Sequence, residues 1–165
     1  MNTEAAFGAA LGATGSQPTT VFDALNALTE ALVGVRLFTL MTFDAATGEA
    51  RRIYSNMPDA YPVLGTKPVN ETHWTGVVLD RHETFVANDI DEIARVFDDF
   101  ELIRSLGCES AINVPIVVDG SVIGTINCLH EAGFYTAERV EASNRLKLPG
   151  AAAFLLDRLI SAKGA

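Results

Sequence analysis

Residues 110–130 read Ser-Ala-Ile-Asn-Val-Pro-Ile-Val-Val-Asp-Gly-Ser-Val-Ile-Gly-Thr-Ile-Asn-Cys-Leu-His, and this stretch decides the fold. Two apolar runs, Ser110–Val118 and Ser121–Leu129, flank Asp119-Gly120. Asp-Gly between β-branched runs is a strong hairpin signal, because both central residues of a type I′ turn need positive φ. The runs are apolar on both faces, so the sheet they enter must be covered on both sides. Asn113 and Asn127 are the exceptions, since asparagine is depleted in strands. A buried amide without partners costs about 1–3 kcal/mol, so protein, water or ligand must satisfy each one. A strict two-residue turn would pair Asn113 with Ile126 and set the two amides on opposite faces. One bulge, or a longer turn, would bring them to the same face.

Working outward, Ala5–Leu11 reads as a short helix and Gly12–Pro18 as a linker, so residues 1–19 form a tail before the main domain. From Thr20, Val21, Phe22, Leu25, Leu28, Leu32 and Val33 recur at helical spacing, with Thr19 or Thr20 as cap and Gly34 as stop. Val35–Phe43 and Glu49–Ser55 read as strands around the turn Asp44–Gly48. Pro58, Pro62, Gly65 and Pro68 make 56–72 a long loop. A short helix is expected over Trp74–Arg81, a short strand over Thr84–Ala87 and a helix over Ile90–Leu106, stopped by Gly107. From Thr136 a long helix runs to Ser161, kinked by Pro149.

Four segments carry a family resemblance. They are Glu83-Thr-Phe-Val-Ala-Asn-Asp-Ile90, Leu102-Ile-Arg-Ser-Leu-Gly107, Ser110-Ala-Ile-Asn-Val-Pro115 and Asp119-Gly-Ser-Val-Ile-Gly124-Thr. In this order and spacing the chain resembles a GAF domain over residues 20–163. Tyr54–Pro68 and Asn127–Tyr135 are similar to a subgroup of stand-alone, single-domain bacterial GAF proteins. The resemblance implies an α+β, PAS-like fold with a central antiparallel sheet of five to six strands. Terminal helices would cover one face and form a homodimer. Loops and short helices of residues 56–107 would roof a ligand pocket on the other. It further implies that positions matching Ala111, Asn113, Asn127 and Leu129 face the ligand, as in phytochromes and free methionine sulfoxide reductases.

The loop and roof add Tyr61, Lys67, Trp74 and Phe97 as candidate ligand contacts. Three have a plainer reading: Trp74 and Phe97 as core, Lys67 as an ordinary surface cation. Lys67 stands out because the chain has 165 residues with 12 Lys+Arg against 21 Asp+Glu, a formal charge of −9. So acidic a chain repels nucleic acid and anionic membrane surfaces, and neither is expected as a partner. No basic residue precedes Arg36, so no signal or transit peptide is read, and a cytoplasmic location is expected.

The expected function is a ligand-sensing regulatory module for a small polar or anionic molecule, acting on a separate effector protein. The alternatives are a small cofactor-independent enzyme using Lys67, Glu101, Cys108 or His130, and a dimerisation module with an unused pocket. Methionine sulfoxide reductase chemistry is disfavoured: Asn127 and Leu129 stand where the resemblance implies acids, and Trp74–Val77 contains no cysteine. The bilin-attachment cysteine of phytochromes and the Asn-Lys-Phe-Asp-Glu pattern of cyclic-nucleotide domains are missing too. His73 and His82 lack metal-ligand spacing, and no cofactor is expected.

Overall fold

Strands apolar on both faces need two covering layers, and the computed structural model, which describes residues 2–63 and 65–165, supplies them. Helices α1 (Thr3–Gly12) and α2 (Thr19–Leu32) lead into strands β1 (Leu37–Asp44) and β2 (Glu49–Ser55). The two-residue strand β3 (Lys67–Pro68) follows, then α3 (His73–Thr75), which runs on as one π-helical turn over Gly76–Asp80. Strand β4 (Phe85–Ala87), helices α4 (Ile90–Ala94) and α5 (Phe100–Ser105), and the hairpin β5 (Ser110–Val118) and β6 (Ser121–His130) come next. The chain closes with α6 (Ala137–Ser143), a 3-10 turn at Asn144–Leu146 and α7 (Lys147–Lys163). All strands pair antiparallel in the order β3-β2-β1-β6-β5-β4.

One core lies between the sheet and helices α1, α2 and α7. Phe7, Phe22, Leu25, Leu28, Ala153 and Phe154 pack there against Phe38, Ile112, Val114 and Ile126. Gly124 and Gly150 let α7 settle on the hairpin: a Cβ on Gly124 would lie 2.6 Å from the Phe154 ring, and one on Gly150 2.8 Å from Ile116 and Ile126. The opposite face carries a second core under α3–α5, with Trp74, Val78, Phe85, Ile93, Ile103, Ala111 and Leu129.

The hairpin turn has the positive φ its sequence demands, 50° at Asp119 and 71° at Gly120. Its register is not that of a strict hairpin. Val117 faces Val122 while Ile116 faces Gly124, which leaves Ile123 as an extra residue and pairs Asn113 with Asn127. A second irregularity sets Leu40 opposite Tyr54 but Met41 opposite Arg52, with Ile53 extra. Residues 52 and 54 of one regular strand would share a face; here Tyr54 joins the helix-side core and Arg52 faces the other way.

Four local expectations are corrected. The helix read over Ile90–Leu106 is two helices with 95–99 irregular between them, because Asp99 turns its carboxylate to Tyr61 and begins a new helix. The helix over Trp74–Arg81 is a single α-turn followed by the π-helical turn. The terminal helix breaks in two at the 3-10 turn rather than kinking, since Pro149 has no N–H and its ring disfavours the carbonyl of Arg145 four residues back. Neither Thr19 nor Thr20 caps α2: Pro18 holds the cap position, and the Thr20 hydroxyl donates to the Ser16 carbonyl at 3.2 Å.

Candidate functional site

The second face of the sheet and the segments above it line a half-open cavity of about 420 Å³. Register alone fixes its floor. Thr39 sits opposite Asn127, and Asn127 opposite Asn113, so three strands contribute one polar row. Hydrogen bonds run along it and up to the roof: Trp74 Nε1 donates to Asn113 Oδ1 at 2.9 Å, Asn113 Nδ2 to Asn127 Oδ1 at 2.7 Å, and Asn127 Nδ2 to Thr39 Oγ1 at 3.1 Å. All four residues are buried. The asparagine carbonyl oxygens are therefore satisfied within the protein, and the same chain positions the Trp74 indole over the floor.

Leu129 and Ala111 face each other one step further along the hairpin and make the floor apolar there, under Ile103. Phe97 lies in the irregular segment between α4 and α5 and packs edge-on to Phe85, ring centres 6.2 Å apart. At the other side of the cavity the Arg52 guanidinium lies 3.8 Å over the Tyr61 ring and donates from Nη1 to the Pro62 carbonyl at 2.7 Å. Tyr61 donates its hydroxyl to Asp99 Oδ2 at 2.5 Å. Burial first, then the neighbouring Asp99 carboxylate, pushes the Tyr61 phenol well above its ordinary value, against the opposing Arg52 charge, so it stays a donor. Tyr61 is thereby tied to the roof segment 95–99. Lys67, paired with Ala50 across β2–β3, reaches the cavity from an exposed strand.

The structure thus brings Ala111, Asn113, Asn127, Leu129, Tyr61, Lys67, Trp74 and Phe97 to one cavity. Thr39, Arg52, Arg95, Asp99 and Ile103 line it too and escaped the sequence reading. The pair Asp98-Asp99 ahead of an apolar turn is a legible helix-start signal. Arg52 had no signal, because its orientation depends on the Ile53 bulge.

Several other polar side chains serve the fold instead. Tyr54 donates to Asp23 on α2 at 2.7 Å, and Asn56 bonds the backbone of Phe38 and Arg36. The Asp89 side chain caps α4 by accepting from Glu92 N. Glu101, Cys108 and His130 do not line the cavity, and Arg104 pairs with Glu109 at 3.4 Å. Cys108 and Cys128 are buried free thiols, each pushed up by burial. His130 stacks on Phe134 with ring centres 3.5 Å apart and accepts from Glu131 N at 2.9 Å. Among the described residues no three His, Cys, Asp or Glu side chains converge as metal ligands would, and no helix is long and apolar enough to cross a membrane.

The family model described as the GAF domain matches residues 18–146. No curated protein matches the sequence. Among solved structures, the GAF domain of an Acinetobacter phosphoenolpyruvate-protein phosphotransferase is similar at TM-score 0.71 and 12% identity, over 96% of this chain and 94% of that one. The GAF domain of a Bacillus halodurans two-component sensor histidine kinase is similar at TM-score 0.69 and 10% identity, over 89% and 99%. Free methionine-R-sulfoxide reductase from Neisseria meningitidis, solved with its substrate, is similar at TM-score 0.66 and 16% identity, over 93% and 87%. At such identities the likeness is one of fold.

Proposed function

The chain belongs to the GAF-domain family, and from that premise we propose that it is a regulatory domain which binds a small polar or anionic organic molecule and signals to a separate protein. The observation that carries this reading is the cavity of about 420 Å³, with a buried hydrogen-bonded floor and the cations Arg52 and Lys67 at one side. Its size falls in the range of sites for small ligands. The ligand would touch both the floor and the two roof segments joined by Tyr61 and Asp99. Occupancy then favours the closed roof, and the outer surface of that roof is what a partner reads. A homodimer through the terminal helices belongs to the same proposal, with Leu148, Leu155 and Leu159 exposed on α7.

An enzymatic reading keeps only Lys67 of its four side chains, because Cys108, Glu101 and His130 lie outside the cavity that would hold substrate. A thermal-shift screen of carboxylates, amino acids, purines and nucleotides tests the binding proposal. A true ligand at about 100-fold its Kd adds about 2.7 kcal/mol of stability, which raises Tm by several degrees. Asn127→Leu should abolish that rise. A library without a single hit would refute the proposal.

A further inference from the structure

Donors and acceptors on the cavity floor do not balance. Trp74 spends its one donor on Asn113, Asn113 one amide hydrogen on Asn127, and Asn127 one on Thr39. A side-chain amide carries two such hydrogens and a hydroxyl one. The second hydrogen of each asparagine and the Thr39 hydroxyl hydrogen therefore have no acceptor among the described residues. These side chains line the cavity and belong to residues only 3–6% exposed: 3% for Thr39, 4% for Asn113 and 6% for Asn127. The row offers an occupant hydrogen-bond donors.

The β2–β3 side offers positive charge. Arg52 uses Nη1 on Pro62 and its face on Tyr61, which leaves the Nε–Nη2 edge without an acceptor among the described residues. That edge is the one a carboxylate takes through two parallel hydrogen bonds. Lys67 stands beside it, across from Ala50. No carboxylate from β2 or β3 lines the cavity; the roof segment contributes Arg95 together with Asp98 and Asp99, and Tyr61 holds the Asp99 carboxylate. The far end, at Ala111, Leu129 and Ile103, is apolar. Register places these three zones in sequence: apolar end, donor row, cationic edge. The strand bearing Arg52 lies two strand spacings, about 10 Å, from that of Asn127.

We propose that the cavity takes an amphipathic carboxylate with an uncharged oxygen acceptor inside its chain, that is, a keto or acyl acid with an alkyl or aryl end. The carboxylate sits on Arg52 and Lys67, the inner oxygen accepts from the Thr39–Asn127 row, and the apolar end lies against Ala111 and Leu129. On β2 and β3 an amine finds no carboxylate, and Asp99 on the roof already accepts from Tyr61. This assignment rests on the ligand-binding reading above and narrows it to one chemical class.

Benzoylpropionate, its methyl ester, phenylbutyrate and phenylbutylamine test it by calorimetry on the full chain, with the emission of Trp74 as a second readout. Benzoylpropionate should bind at least about tenfold tighter than the ester, which lacks the charge, and than phenylbutyrate, which lacks the inner oxygen. Phenylbutylamine should not bind. Arg52→Gln should erase the acid-over-ester preference and keep the keto-over-methylene one; Thr39→Val should do the reverse. Lys67→Gln, at an exposed position, should narrow the acid-over-ester preference even if Arg52→Gln fails to fold. Equal binding of the amine, or preferences that survive all three substitutions, overturns the assignment. Should none of the four probes bind while a purine or nucleotide does, the carboxylate class falls and the binding reading stands. Should nothing bind, both fall.

Discussion

Asn113 donates from Nδ2 to Oδ1 of Asn127 at 2.7 Å, the two residues lying directly opposite each other on β5 and β6. That bond exists because Ile123 is an extra residue in β6; without it the two side chains would point to opposite faces. It is also the middle link of a chain from Trp74 to Thr39.

Asn113→Ala strands the Trp74 indole N–H and one Asn127 lone pair in a buried site. The expected loss is about 1–3 kcal/mol. Asn127→Ala should cost a similar amount, and the double variant less than their sum, since both remove the same bond. Urea unfolding followed by the emission of Trp74, the single tryptophan, measures all three. Strict additivity would show that the amides do not act on each other.

Gly124→Ala should destabilise more than Gly150→Ala. A Cβ at position 124 meets the Met41 carbonyl oxygen at 2.7 Å as well as the Phe154 ring, and backbone cannot step aside. At position 150 the obstacles are the Cδ1 atoms of Ile116 and Ile126, which can rotate. Overpacking of this kind costs about 1–3 kcal/mol, and the shift in Tm of each variant checks the order.

Burial, then the Arg36 charge, lowers the His130 pKa, with Glu131 and Glu30 opposing and Arg139 adding to the fall. The unfolded chain takes up this proton first as pH drops through the ordinary value of 6.5. Stability should therefore decline from that pH down to the lower folded value and level off below it. His130→Gln should flatten this part of the profile in Tm measured against pH. An unchanged profile in the variant would assign the slope to other groups.

Cys108 and Cys128 should resist thiol reagents at pH 8. Both are fully buried, and burial raises each thiol above its ordinary value, so little thiolate forms. Modification followed by absorbance should show two thiols released only on unfolding, with no fast phase from the native protein. A fast native phase would restore Cys108 as a candidate nucleophile.

Local sequence settled whatever local sterics settle. Asp119-Gly120 can only turn with positive φ, and Gly34 and Gly107 at φ of 85° and 77° end helices where they stand. The two-sided apolar pattern of 110–129 required two covering layers; the family resemblance pointed to Ala111, Asn113, Asn127 and Leu129, and the loop and roof segments to Tyr61, Lys67, Trp74 and Phe97. Periodicity misled over 90–106, where Phe97 and Phe100 keep helical spacing across a break. Apolar spacing reports which residues are buried, and an irregular segment packed on a core buries them equally well.

The tertiary structure alone decided the two bulges and the charge of the cavity. Ile53 and Ile123 are ordinary strand residues, and nothing in their neighbours marks them as extra; pairing with β1 and β5 selects them. One bulge joins Asn113 to Asn127, and the other sends Arg52 into the cavity while Tyr54 turns to the helices. A strand's faces alternate with period two, so a single unpaired residue exchanges every side chain beyond it. That exchange is a property of the pair of strands, and neither strand carries it alone.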